Sequence, residues 1–284
     1  MQFLGIFIGF IVLAAFFAVL ERFWPSLRGQ KRFRRGWRTD IAWFIWQPTF
    51  GKVFSAILVF VSVMSLGALL MSPIPTDELK GLSPRHTWVS EQPMWFQLGG
   101  VLLLGDFIGY WQHRFFHRVS FLWRFHAVHH SSTNLDWLSS ARVHPINDVV
   151  SNVAAALPIL FLGFSPGAFA AYIPVLTLYA IMLHANVSWT FGPLRHIIAS
   201  PTYHRWHHTS EQEGLDKNFA ALFPWYDRLF GTLYLPHGVQ PQHFGVVGES
   251  VPDSFFGQLK YPFRRRRQAE PQSPAGAISA LAEG

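Results

Sequence analysis

The amino-acid sequence predicts an all-α protein: multi-pass transmembrane helices with a cytosolic helical cap rich in histidine. Three observations predict it. Apolar residues gather in runs of membrane-crossing length, basic residues crowd short segments between those runs, and histidines recur at helical spacing. Of 284 residues, 50% are hydrophobic and 17% aromatic, but only 14% are charged, against ~25% in ordinary soluble domains. That shortage of charge fits a body exposed to lipid.

Residues 3–20 form the first run and contain no charged side chain; a helix of ~20 apolar residues crosses ~30 Å of hydrocarbon. No basic residue precedes the run and no small-x-small cleavage site follows before Glu21, Arg22 and Phe23, so it reads as a retained membrane helix. Arg28, Lys31, Arg32, Arg34, Arg35 and Arg38 crowd the next loop, and four arginines at 264–267 form a second basic group. The net charge of +7 is therefore a positive-inside signal with anionic lipid headgroups as neighbours, and nucleic acid is not expected as a partner. The second run covers 53–71, preceded at 41–49 by Trp43 and Trp46 in the manner of an interfacial aromatic belt. A loop at 72–93 holds Pro73, Pro75, Pro84 and Pro93 with only Lys80 and Arg85 as strong bases, and is expected to face away from the cytosol. A third run, 94–111, returns the chain to the basic side. From 149 to 189 the chain is apolar again, divided by Pro158, Ser165-Pro166-Gly167 and Pro174 into two pieces short for full crossings. An even number of traversals there returns Arg195 to the side of Arg114, Arg118 and Arg124. Three regions result: a transmembrane hairpin with its basic cytosolic and Pro-rich extracytosolic loops (1–93), a catalytic region (94–235), and a C-terminal extension (236–284) expected to be disordered from about 268.

The absence of cysteine excludes disulfides, iron–sulfur ligation and thiolate zinc, so any metal is held by nitrogen or oxygen. An even spread of the fourteen histidines would put about one in any 18-residue window, yet 113–130 holds five. His113 and His117 are four apart; His126 stands three and four before His129 and His130, and His204 three and four before His207 and His208. Residues at i, i+3 and i+4 share a helical face, so each box can aim its imidazoles at a common centre. A catalytic zinc takes about three protein ligands; eight histidines therefore make two metals the natural count. Imidazole alone does not choose among iron, copper, nickel and zinc. The His-Glu-x-x-His pattern of zinc proteases is absent, its glutamate position being Arg114, Ala127 or Arg205 in the three boxes. His184, at the end of an apolar segment, must coordinate or hydrogen-bond there and is a further expected ligand. His144, in Arg-Val-His-Pro, reads equally as a partner orienting a ligand or as a loop residue. Asp106, two turns before His113, is a candidate acceptor for a ligating imidazole or else a capping carboxylate. His86, His196, His237 and His243 stand outside any box and read as solvated or structural.

These residues resemble the fatty acid hydroxylase/sterol desaturase superfamily of membrane di-iron proteins. The resemblance runs from about Asp106 to Thr232 through Asp-x3-Tyr-x2-His-Arg-x2-His (106–117), Trp-x2-His-x2-His-His (123–130), Arg-Val-His-Pro (142–145), His-Ala-Asn (184–186), Pro-x2-His-Arg-Trp-His-His (201–208) and Trp-x-Asp-Arg-Leu-Phe-Gly-Thr (225–232). It implies His113, His117, His126, His129, His130, His184, His204, His207 and His208 as metal ligands, and membrane helices capped by a cytosolic helical site. Asn218-Phe219-Ala220 stands where many relatives carry Asn-Tyr-Gly, a change expected to reach the substrate pocket, and Asn218 is a further candidate to orient a ligand. The chain lacks the His-Pro-Gly-Gly haem motif of a fused cytochrome b5, so electrons from NAD(P)H would arrive through a separate carrier: a ferredoxin, a cytochrome b5 or a reductase.

Two iron ions with O2 and two external electrons supply an oxidant for an unactivated C–H bond, and the protein supplies orientation and exclusion of water. The expected reaction is hydroxylation, or a related oxidation, of a lipid: a sterol, a fatty acyl chain, an alkylglycerol or an aminolipid. Arg124, Arg142 and Arg205, with the basic loop, are candidates to hold an anionic headgroup; Trp206 and Trp225 read as packing or interfacial residues. A histidine-lined metal transporter would place polar residues mid-membrane in several helices, whereas here they cluster at one face. A membrane zinc hydrolase would act without O2. The terminal Leu-Ala-Glu-Gly carries no endoplasmic-reticulum retrieval signal, which favours a bacterial inner membrane.

Overall fold

The computed structural model describes residues 2–70 and 87–264. Most of the Pro-rich loop, His86, the arginines at 265–267 and the tail expected to be disordered lie outside those residues. Helix α1 (Gln2–Phe23) is followed by a loop and by α2 (Trp37–Trp46), which runs through a π-helical turn (Gln47–Gly51) into α3 (Lys52–Leu70). Then come α4 (Met94–Arg118), α5 (Ser120–His130), α6 (Pro145–Phe161), α7 (Pro166–His184) and the short α8 (Pro201–His207), α9 (Trp225–Leu229) and α10 (Phe255–Lys260). Among the described residues β-pairing is limited to two isolated bridges, Pro25 with Val187 and Thr209 with Phe244.

Helix starts follow local chemistry. His144, Ser165 and Ser200 each precede a proline at the first helical position, and their side chains accept the amides of Ile146, Ala168 and Tyr203. A capping acceptor and a pre-set φ thus coincide at three junctions.

Among the described residues, three segments are long and apolar enough to cross a membrane: Phe3–Phe23, Trp37–Ser62 and Pro166–His184. The second begins sixteen residues before the apolar run expected from sequence, because the tryptophan-bearing segment is the first half of one continuous helix. Its widened π-turn accommodates Pro48, whose ring would clash with a carbonyl in regular α-helix. Helix α4, read as a third crossing, is not apolar enough to join this set; its Gln97 and Asp106 are buried in the bundle. Of the two pieces between 149 and 189, α7 has crossing length and α6 is shorter.

Helices α4, α6 and α7 close on a core of Val101, Ile159, Phe164, Ala168 and Tyr172. Glycine on α4 permits this approach: a Cβ at Gly100 would lie 2.6 Å from the Phe164 ring, and one at Gly105 3.1 Å from Tyr172. On the other side, Phe17 of α1 stacks on Trp137 with centroids 5.6 Å apart. The end of α1 is also laced to the segment after α7: Glu21 accepts the amides of Asn186 (2.9 Å) and Trp137 (3.3 Å), and Asn186 exchanges hydrogen bonds with the backbone of Leu27.

The basic loop is only partly a solvated face. Arg34 is buried and grips Asp136 through two 2.6 Å hydrogen bonds, and its third contact is Asp40, which also pairs with the buried Arg142. Gly36, in the left-handed region at φ 84°, passes so close to the Arg142 guanidinium that a Cβ there would collide with it. This ion network fixes the loop before α2 against the chain between α5 and α6.

Candidate metal centre

The C-terminal ends of α4, α5 and α7 meet α8 at one end of the bundle, and nine imidazoles converge there. They form two groups: His113, His117, His126, His130 and His207, and His129, His184, His204 and His208. Within each group the candidate ligand atoms lie within 4.8 Å of one another. In the first, His126 Nε2 stands 3.0 Å from His113 Nε2 and 3.1 Å from His130 Nε2, which is 3.1 Å from His207 Nε2. In the second, His184 Nε2 stands 3.2 Å from His129 Nε2 and 3.3 Å from His204 Nε2, which is 3.1 Å from His208 Nε2. The groups touch where the rings of His130 and His208 stack at 4.3 Å.

The second and third boxes serve both groups, while His113 and His117 of the first box both join the first group. The i, i+4 pair His126/His130 joins the first and His129 the second; His204/His208 joins the second and His207 the first. The common centre expected from spacing holds for His113 and His117, whereas the other two boxes are each divided between two adjacent centres. The reason is helical phase: residues four apart differ by about 40° around the axis, whereas the residue at i+3 lies about 60° to the other side.

The rings are oriented from behind. Nδ1 of His113 donates to Phe219 O (2.8 Å), of His207 to Lys217 O (2.8 Å), of His129 to Arg142 O (3.1 Å) and of His184 to Ala180 O (2.7 Å). His126 Nδ1 meets Asn147 Oδ1 (2.9 Å), and His117 Nδ1 meets Asp216 Oδ1 (3.1 Å). A proton fixed on Nδ1 leaves the Nε2 lone pair directed inward. Burial, reinforced by neighbouring imidazoles, pushes His126, His129, His130, His204, His207 and His208 well below the ordinary histidine range. The Nε2 of His117 is buried without a hydrogen-bond partner. Neutral rings crowding bare nitrogens together oppose one another unless a cation lies between them, so the donor set fits a pair of nitrogen-ligated metal ions.

Three residues proposed to orient ligands do not touch an imidazole. Asp106 accepts the amides of Ala221, Leu222 and Phe223 at 2.8–2.9 Å, because its helical phase sets a face and not a partner. His144 caps α6 and meets Leu259 O at 3.2 Å. Asn218 binds the backbone of Tyr203 and Tyr234. Phe219 sits against three imidazoles of the first group, with centroids 5.1–5.8 Å from His113, His117 and His207. Arg142 and Arg205 are buried and unavailable to a headgroup; Arg205 donates to Leu135 O and lies over the Phe244 ring at 4.7 Å. Trp206 is buried, and Trp225 is 43% exposed. Sequence reasoning missed Asn147 and Asp216, neither of which lies within a histidine box.

Fold and site together define a helical membrane protein with a buried histidine-box centre able to hold metal. Residues 98–232 match the fatty acid hydroxylase family model. The chain is similar to an ornithine lipid hydroxylase of Rhizobium tropici, 29% identical over 233 residues that cover 79% of this chain and 70% of the relative. It is similar to an alkylglycerol monooxygenase of Danio rerio, 35% identical over 51% of this chain and 31% of the relative. A very-long-chain aldehyde decarbonylase of Arabidopsis thaliana is 28% identical over 51% of this chain and 25% of the relative. The match thus spans under a third of the last two proteins. No solved structure matches the chain.

Proposed function

We propose that this protein is an O2-dependent membrane oxidoreductase that hydroxylates a C–H bond of a lipid, with iron ions held by its two histidine groups. The observation that carries the reading is the pair of adjacent, buried, all-imidazole groups, Nε2 turned inward and Nδ1 engaged behind. His113, His117, His126, His130 and His207 would hold one ion and His129, His184, His204 and His208 the other. When bound, the iron pair supplies the activation of O2; two electrons and two protons then convert C–H to C–OH with release of one water. The chain's own part is geometric. It keeps nine rings neutral, fixes six of them through Nδ1, and walls them from water with α4, α5, α7 and α8. The apolar outer faces of the spans keep a lipid tail in hydrocarbon while its reactive carbon reaches the site.

The ornithine lipid relative, covered over 70% of its length, favours an aminolipid among the substrate classes. Electrons from NAD(P)H would arrive through a separate carrier, a ferredoxin, a cytochrome b5 or a reductase. The basic loop favours a site on the cytosolic face of what we take to be a bacterial inner membrane. The test pairs metal analysis of protein from iron-replete cells with comparative lipid mass spectrometry of a deletion strain complemented by wild type or by His129→Ala/His208→Ala. The expected result is about two irons per chain and a lipid heavier by about 16 mass units, one oxygen, only with intact histidines. Zinc in the purified protein with O2-independent turnover would overturn it.

A further inference from the structure

We infer that residues 216–219 act as one positioning strap for the five-histidine group alone, and that Asp227 is a positioning residue for that ion through its grip on the strap. The inference rests on the reading of the two groups as an ion-pair site. Three of the four Nδ1 acceptors seen in the first group come from four consecutive residues: the Asp216 carboxylate for His117, the Lys217 carbonyl for His207 and the Phe219 carbonyl for His113. The second group draws its acceptors elsewhere, from Arg142 between α5 and α6 and from Ala180 within α7 itself.

The strap's backbone is unusual. Asp216 and Asn218 both lie in the left-handed region, at φ 55° and 60°. Asp and Asn enter that region more readily than other side chains, and two of them so close together persist there where the surroundings hold them. Here they do. Asn218 donates its amide to Thr232 O (3.0 Å) and its side-chain N–H groups to Tyr203 O (2.9 Å) and Tyr234 O (2.7 Å), while its Oδ1 accepts Tyr234 N (2.8 Å). The fully buried Asp227 accepts the amides of Phe219 (2.7 Å) and Ala220 (2.9 Å), the Thr232 hydroxyl (2.7 Å) and the Tyr203 hydroxyl. Asp106 then holds 221–223. Two buried carboxylates that touch no imidazole thereby set the direction in which the Phe219 carbonyl meets His113. Loosening them turns rings of one group and leaves the other group's acceptors in place.

The experiment loads purified wild type, Asp216→Ala and Asp227→Asn with 57Fe(II), assigns the two Mössbauer doublets with His113→Ala and His184→Ala, and titrates bipyridyl. The expected result is that both strap variants release the iron whose doublet is altered in His113→Ala at a chelator concentration ten- to a hundred-fold lower than wild type, the size of effect seen when a partner behind a metal ligand is removed. The other doublet should hold to within about two-fold of its wild-type midpoint. Asp216 is half-exposed and bonds one imidazole, so its variant decides the matter if Asp227→Asn does not fold. Parallel loss of both irons, or wild-type retention in both variants, overturns the inference alone. A wild type showing only one iron environment overturns the two-ion reading and this inference with it.

Discussion

A histidine's address in this molecule is set by one residue of spacing. His207 and His208 are neighbours in sequence, yet one belongs to the five-ring group and the other to the four-ring group. Removing a ring from five leaves four, enough for a closed first sphere, whereas removing one from four leaves three. His208→Ala is therefore expected to lose about one metal per chain, and His207→Ala to retain both with weaker hold; metal per chain at a fixed chelator concentration checks this. The boxes were legible because i, i+3, i+4 is a local pattern. Their orienting partners were not, since the acceptor behind His113 lies 106 residues away and is a backbone carbonyl, to which residue type gives no clue. The same limit explains Asp106, whose local phase suggested an imidazole and whose fold delivers three amides. It also explains Arg142 and Arg205, charged by type and buried by context.

At the scale of elements, α4 is the member on which both sides of the site depend. It carries His113 and His117 and packs closely against α7, which ends in His184. Gly100 and Gly105 set that spacing. Leucine at either should overpack the interface at a cost of about 1–3 kcal/mol and lower both the thermal midpoint and metal retention in detergent. Leucine at Gly99 or Gly109, where a Cβ would meet nothing within 4 Å, should leave both unchanged. Equal behaviour of the four variants would show that the glycines do not control the approach. The long apolar runs were readable from hydropathy alone, but the unbroken passage of α2 into α3 was not. A proline at 48 ordinarily predicts a break, and only the π-turn absorbs it.

The whole molecule draws its site from helices scattered along the chain, so ions bridging those helices would hold the bundle together. Metal bound only to the folded form stabilises it by about 4 kcal/mol at a thousandfold excess over its dissociation constant. Stripping with a chelator should lower the thermal midpoint of the solubilised protein, and ferrous iron should restore it. An unchanged midpoint would mean that the imidazole groups close without a cation. The first helix takes part in this economy of contacts although it supplies no ring. Its Glu21 satisfies the amides of Trp137 and Asn186, the second of which lies just two residues beyond His184. A chimera with a foreign anchor of equal greasiness would still insert, yet it would leave those two amides bare beside the cage. Its failure would surface as a slack histidine on α7, in a protein otherwise correctly seated in its bilayer.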